Sequence, residues 1–400
     1  MNYRVECLTP VLVSDGNSLS PIDYMVWKDQ VNVLDQRKIF RLLARGPRLD
    51  GYLLQVKKAQ KLDFASWGGF AQNFAGRRIA LEHSSLMPLW ERQPAELCHI
   101  ATFARTQEGA YLPGSALRGA LRTALVSSRL DEKSLTQAAE LIEAGGVRRP
   151  GEAMEQRALA TDGGRGGHDP MKALAIGDSA GLSAAATPTR VYLARVASLA
   201  ESRDPKAQAA GRPYSLVWKQ ARGGSVEARR IDDSTPLFVE MATPGTAFTG
   251  AWTERGFFRR GEVRQQLRWR DQDLRRLLLD AANGYAAKAL AVHRSFAVAA
   301  GLPLLARAVE ALEADLAAAR EAGNRCLLNI GWGGGLLSKS VWPLLDATPE
   351  AEQSYRRILA AQNVWARALR TGLPFPKTRR IVFTGGQPTT LPGWVRLEIS

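Results

Sequence analysis

Cysteine is scarce and scattered in this chain of 400 residues: Cys7, Cys98 and Cys326 lie far apart, each within an apolar, strand-like run. No CxxC pair and no Cys/His cluster is available to build a zinc site, and the three read as buried free thiols of a reducing compartment. The four histidines, His83, His99, His168 and His293, are equally dispersed. Only the His168-Asp169 pair, in a glycine-rich stretch at 162–169, is held open for chemistry. Long hydrophobic runs are missing too. The longest apolar stretches are broken by Lys288, His293, Arg294 and Arg307, and the N-terminus has no charged segment leading into about 7 to 15 apolar residues. A membrane span and a secretory leader are therefore not expected, and the chain is read as cytoplasmic. Acid is in deficit, with 39 acidic against 54 basic residues, a formal charge of +15 and a pI near 10.1. Lysine supplies only 12 of those cations, so 42 are arginines, which add bidentate phosphate geometry and stacking to their charge. Such a balance is the footprint of a polyanion-binding surface, although a GC-rich genome also inflates arginine, alanine and glycine together.

What is present is an ordinary globular composition, 45% hydrophobic and 23% charged, in a chain longer than one core usually serves. Alternating apolar residues predict strands over 2–13, 24–33, 97–105, 110–112, 172–176, 190–196, 237–241, 246–252, 327–330, 380–384 and 394–399. Helical spacing marks 35–44, where Asp35 suits a cap, then 49–61, 131–160, 350–369 and almost all of 271–322, broken at Gly301-Leu302-Pro303. Polar, basic segments at 201–212 and 222–230 read as a protruding hairpin or loop. The expected fold class is α+β, with a division near residue 230. The first part, 1–230, is a lobe with helical and loop insertions; the second, 231–400, carries a helical insertion at about 271–322 and a glycine-rich loop at 331–335.

The stretch at 111–122, YLPGSALRGALR, runs through Pro-Gly into a short helix on which Arg118 and Arg122 share one face. Ser115 suits an N-cap, which would turn the positive helix end outward toward an anion. A capped surface helix with solvated arginines fits the same residues. The run GWGGGLLSKS at 331–340 is not a P-loop, because Ser338 stands where glycine must precede Lys-Ser, and Leu336 spoils a GxGxxG. Its glycines Gly331, Gly333, Gly334 and Gly335 can offer bare amides to phosphates, with Lys339 adding charge and Trp332 a stacking face. The other reading is a tight packed turn with Trp332 in the core. Six arginines at 255–270 surround Phe257, Phe258 and Trp269, and Lys377, Arg379 and Arg380 precede a late strand, the mix of cations and flat faces that single-stranded RNA calls for. Asp15, Asp23, Asp162, Asp169 and Asp178 lie beside turn residues but form no pair at a diagnostic spacing. Ser115 lacks a nucleophile-elbow context.

Five segments in order resemble the RAMP proteins of type III CRISPR systems, and among them the fifth-Csm-subunit family of the type III-A effector: LTPVLVSDGNSLSPIDYMVW with VNVLD, YLPGSALRGALRTAL, HDPMKALAIGDS, GWGGGLLSKSV and FPKTRRIV. Arg118 stands where lysine is frequent in that family and Ser340 where threonine is more familiar. The resemblance implies two ferredoxin-like, RRM-type lobes with helical and hairpin insertions. It implies a non-catalytic RNA-binding subunit that caps the backbone filament, holds the 3′ part of the CRISPR RNA and aids guide maturation in antiviral defence. The implied partners are CRISPR RNA, the adjacent backbone RAMP subunit, the small subunit and recruited host nucleases; no cofactor and no metal are implied. The backbone neighbours' loop aspartate is not assigned to Asp15 or Asp23, because no motif identifies either. The expected RNA contacts are Ser115, Arg118, Arg122, Lys172, Gly331 to Gly335 with Trp332, Lys339, Arg379 and Arg380. The rival from another class is a metal-dependent endoribonuclease using Asp15, Asp169 or Asp178; a purely structural assembly subunit is a third.

Overall fold

The computed structural model describes residues 1–27, 29–44, 48–58, 61–62, 74–145, 152, 155, 158–159, 169–183, 188–209, 211–221, 225–267, 273–341, 349–361 and 373–400. The expectations placed on Asp162, on His168, on Trp269 and on 362–369 lie outside them.

The period-two pattern of the opening segment yields the strand Asn2–Cys7, with Tyr3, Val5 and Cys7 buried and Asn2 and Arg4 outward. It is the central strand of a five-stranded antiparallel sheet. Ala247–Glu254 and then Leu174–Ile176 lie on one side; Trp394–Ile399 and then Arg325–Asn329 lie on the other. In chain order this sheet reads strand, helix, strand, strand, helix pair, strand, strand, because Gly114–Arg129 follows the opening strand and Leu274–Ala299 with Pro303–Ala322 follows Ala247–Glu254. Both helices, with Pro303–Ala322, pack against the sheet. Leu117, Leu121, Ala124 and Leu125 are buried, as their helical spacing predicts. The outer edge at Arg325–Asn329 is closed by a side chain. Asn283 accepts from the Leu327 amide at 3.1 Å and donates to the Arg325 carbonyl at 3.0 Å, standing in for a further strand.

The second sheet has eleven strands built on one spine, Thr189–Glu201, longer than the expected 190–196. Leu237–Ala242 and Tyr214–Ala221 pair in succession along one edge of the spine. Ala75–Leu81, in parallel, and Thr378–Thr384 pair along the other. Gln30–Leu34 and Tyr24–Trp27 extend it past Ala75–Leu81; of the segments expected to form a protruding hairpin or loop, 201–212 holds the short helix Pro205–Ala209, and 222–230 supplies the strand Ser225–Ala228, paired with Tyr214–Ala221. The opening segment passes from one sheet to the other, since Val11 bridges Ala242 in the second.

Three expectations are corrected here. Both sheets draw strands from either side of residue 230, and one hydrophobic core holds residues from both, so the sheets do not part at that point. The helical insertion expected at about 271–322 is integral to the fold: Leu278, Leu279, Ala286, Leu290, Leu305, Val309 and Leu312 are in the main core. Residues 170–173 form a 3₁₀ turn ahead of the short strand, because Asp169 caps them and Pro170 has no amide to give a ladder.

Length and period show none of the polar centre of the second sheet. Glu240, on the inward side of Leu237–Ala242, is 0% exposed. Its carboxylate takes a bidentate pair from Arg77 at 2.6 and 3.1 Å, the Thr189 hydroxyl at 2.7 Å and the Phe103 amide at 3.3 Å. One buried charge thus ties two strands to the spine and to the loop that carries Phe103, which stacks on Phe248 of the other sheet. Removing it strands Arg77 without its partner. Glu240→Ala is expected to lower unfolding free energy by about 3 kcal/mol, read from urea denaturation, whereas Arg4→Ala, at an exposed pair, changes it by less than about 1 kcal/mol.

Candidate functional site

The arginine helix begins one residue earlier than its serine suggested. Gly114 is its first residue and Pro113 stands in the cap position, so Ser115 lies inside the first turn, exposed, and makes no cap. The cap comes from far along the chain: the Asp178 carboxylate accepts the Gly114 amide at 2.8 Å. The anion at this helix end is therefore the chain's own, and the expectation of a vacant positive end is overturned. A Cβ on residue 114 would sit 2.6 Å from the Gly177 carbonyl oxygen, so only glycine lets the two segments close. The Leu112 amide donates to the Ser179 hydroxyl at 2.8 Å, the Ser179 amide returns to the Leu112 carbonyl at 3.0 Å, and Tyr3 donates its hydroxyl to the Gly177 carbonyl at 2.9 Å. Burial, with the nearby charge of Asp178, pushes the Tyr3 phenol up to about 12.

Arg118 and Arg122 share a face as their spacing requires, and both reach toward the same downstream turn. Arg118 donates to the Leu174 carbonyl; Arg122 pairs with Asp169 and, at 3.2 Å, with Glu155. Burial works against the Arg122 charge, but the hydrogen bond and charge of Asp169, with Glu155 behind them, outweigh it and hold its pKa above the ordinary value. These arginines brace the 169–174 turn, and the cation this turn offers to solvent is Lys172.

The glycine loop has a packing reason first. Gly331 has φ of +70° and a Cβ there would run into the Leu12 carbonyl, while the neighbouring Trp332 amide donates to that same carbonyl at 2.8 Å. Gly333 and Gly334 are crowded by Pro392 and by Asn329 with Ser338, and only Gly335 opens onto empty space. Trp332 is half-buried against the core with the Arg380 guanidinium 5.0 Å from its ring centre, so one face is already covered. The short helix Leu336–Lys339 packs against the arginine helix and leaves Lys339 exposed.

Arg379 is corrected more sharply. It is 6% exposed, donates to His293 Nδ1 at 3.0 Å and to the Pro376 and Thr378 carbonyls, and lies over Phe296. Burial lowers its pKa to about 9; burial and this guanidinium together hold His293 well below its usual value, consistent with a neutral acceptor. It fastens the strand Thr378–Thr384 to the long helix and offers no charge at the surface.

The structure thus brings the arginine helix, Lys172, the glycine loop and Lys339 into one neighbourhood and leaves Arg379 inside. Of the carboxylates considered for chemistry, Asp169 and Asp178 hold backbone amides and Arg122, while Asp15 is exposed and accepts the Asn17 amide at 3.1 Å. Among the described residues no group of three His, Cys, Asp or Glu side chains is placed to hold a metal ion, and no helix is long and apolar enough to cross a membrane. The role of Asp178 was missed in the sequence, although its place in the Asp-Ser that ends the 168–179 segment was the signal.

No family model matches the chain. A curated CRISPR system protein Csm5 from Methanocaldococcus jannaschii is 20% identical over 430 aligned positions, spanning 100% of this chain and 89% of the relative. Among solved structures, a chain of the Csm-crRNA-target RNA ternary complex of a type III-A CRISPR-Cas system superposes with a TM-score of 0.61 at 20% identity, covering 100% of both chains. The crystal structure of T. onnurineus Csm5 gives 0.55 at 18% identity over 98% of this chain and 99% of the other. The likeness drawn from five short segments therefore holds end to end, in sequence with a Csm5 protein and in fold with both structures.

Two substitutions test the closure at the helix start. Asp178→Ala should cost about 1 kcal/mol through loss of the cap, and Gly114→Ala more, because the added methyl meets backbone on the facing segment. Thermal unfolding of both variants beside Gly119→Ala, whose Cβ would meet nothing within 4 Å, provides the comparison.

Proposed function

We propose that this chain is the Csm5-type subunit of a type III-A CRISPR ribonucleoprotein, a non-catalytic protein that caps the backbone filament and binds the 3′ part of the CRISPR RNA. The observation that carries this reading is the full-length likeness to a Csm5 protein and to a chain of a Csm complex solved with crRNA and target RNA. The two lobes are then the two sheets rather than the two halves of the chain. The small sheet supports the ferredoxin-like reading. Trp394–Ile399, Asn2–Cys7, Ala247–Glu254 and Leu174–Ile176 lie side by side in the order fourth, first, third, second of a βαββαβ unit, with Arg325–Asn329 added outside.

The RNA-facing surface is formed by Lys172, Lys339, the open Gly335 and the exposed Ser115 around the arginine helix. Arg118 and Arg122 act from beneath, holding the turn on which Lys172 stands. Recognition is by phosphate charge and independent of sequence. The neighbouring backbone subunit, the small subunit and nucleases that trim the guide are its partners in the cytoplasm, and its part in antiviral defence is to keep the guide 3′ end defined.

The test is guide RNA binding by fluorescence anisotropy across a salt series. A Lys172→Ala/Lys339→Ala variant should bind several-fold more weakly, and the slope of log K against log salt should fall by about 0.7 for each phosphate left without its lysine. Wild-type affinity and slope in this variant would remove these lysines from the interface.

A further inference from the structure

Among the described residues Phe257 is the most exposed phenylalanine, 60% open to solvent. It stands on the 3₁₀ turn Gly256–Arg259, between the strand Ala247–Glu254 and the helix Gly261–Gln266. The turn is not loosely attached. The Arg255 amide donates to the Ala173 carbonyl at 2.8 Å, the Phe258 amide to the Arg255 carbonyl at 3.1 Å, and Phe258 supports Phe257 edge-on at 5.4 Å between ring centres. Through Ala173 it is tied to the same turn that carries Lys172 and that Arg122 and Asp169 brace. On the turn and on the segment bonded to it, the exposed side chains include Arg255, Arg260 and Lys172, against Glu262 and the half-buried Glu254. None of those three cations makes an ion pair among the described residues.

An apolar ring left in water on a fixed turn, with exposed cations before and after it in the chain, has one complement that satisfies both features. A purine or pyrimidine base covers the ring, while the phosphates before and after it meet the cations. A protein partner would have to present an apolar side chain amid acidic residues to do the same. We propose that Phe257 is a stacking platform for one unpaired base of single-stranded RNA, with Arg255, Arg260 and Lys172 receiving the flanking phosphates. This rests on the RNA-binding reading above and extends the interface from the arginine helix to the end of the small sheet. Stacking takes any base, so no sequence preference is expected.

The experiment uses the full-length chain and a single-stranded RNA carrying 2-aminopurine, with anisotropy for affinity and 2-aminopurine emission for stacking. Phe257→Ala should weaken binding about ten-fold, leave the salt slope unchanged and abolish a quench that Phe257→Trp retains. Arg255→Ala should instead lower the slope. The residue is on the surface, so circular dichroism of the variant should match the wild type. If the wild type binds RNA and Phe257→Ala keeps both its affinity and its quench, the platform is refuted while the RNA-binding reading stands. The platform is equally refuted if Phe257→Ala spares RNA but loses co-purification with neighbouring subunits, which would make the ring a protein-binding surface. If the wild-type chain binds no RNA, the reading beneath it falls as well.

Discussion

The arginine helix can start where it does because Gly114 carries no side chain, so that the carbonyls of Ile176 and Gly177 come down onto its α-carbon and the Asp178 carboxylate reaches its amide. Much of the small sheet's outer end depends on that closure. It sets Leu112 against Ser179, places the Leu174 carbonyl where Arg118 can hold it, and gives Tyr3 of the central strand a partner in the Gly177 carbonyl. The same closure neutralises the positive end of the helix from within. Any anion recognised here must be held by side chains around the helix, and not by its dipole.

The two sheets share an apolar core, and a buried carboxylate pins the second of them. The spine strand Thr189–Glu201 collects partners along both edges, and Glu240 beside it binds Arg77 and Thr189, so the second sheet is fixed in register by a polar centre as well as by packing. The opening segment then crosses over: after pairing in the small sheet it bridges Ala242 at Val11, and its Leu12 carbonyl receives the glycine loop. Segments far apart in the chain are in this way neighbours. The opening motif meets the glycine loop, the 111–122 motif meets 168–179, and the late basic strand reaches Trp332 through Arg380.

Local pattern made much of this legible. The alternation of Tyr3, Val5 and Cys7, the apolar face of Leu117, Leu121 and Leu125, and the paired helices with their break at Gly301 all follow from period and turn chemistry, and the structure has each of them. What stayed hidden depends on partners distant in sequence. Ser115 looked like the cap because the real one is 64 residues away. Arg379 looked like a surface cation because its acceptor, His293, lies on another element 86 residues off. Gly331 and Gly333 suggested phosphates because Leu12 and Pro392, which crowd them, are nowhere near in the chain. A boundary near 230 looked natural because strand pairing between first and last segments leaves no trace in composition. The family likeness supplied function where local physics supplied only a capped helix and basic loops.

In the proposed function, one end of the small sheet, around the arginine helix, faces the 3′ part of a guide RNA. Its most direct test is crosslinking in the assembled ribonucleoprotein, with 4-thiouridine placed at successive guide positions and the attached peptides identified by mass spectrometry. Crosslinks from the 3′ part to peptides covering 170–176, 255–260 and 335–340 are the predicted result. Crosslinks to this chain only from the 5′ part, or none to it while the backbone subunits are labelled throughout, would remove the guide 3′ part from this surface.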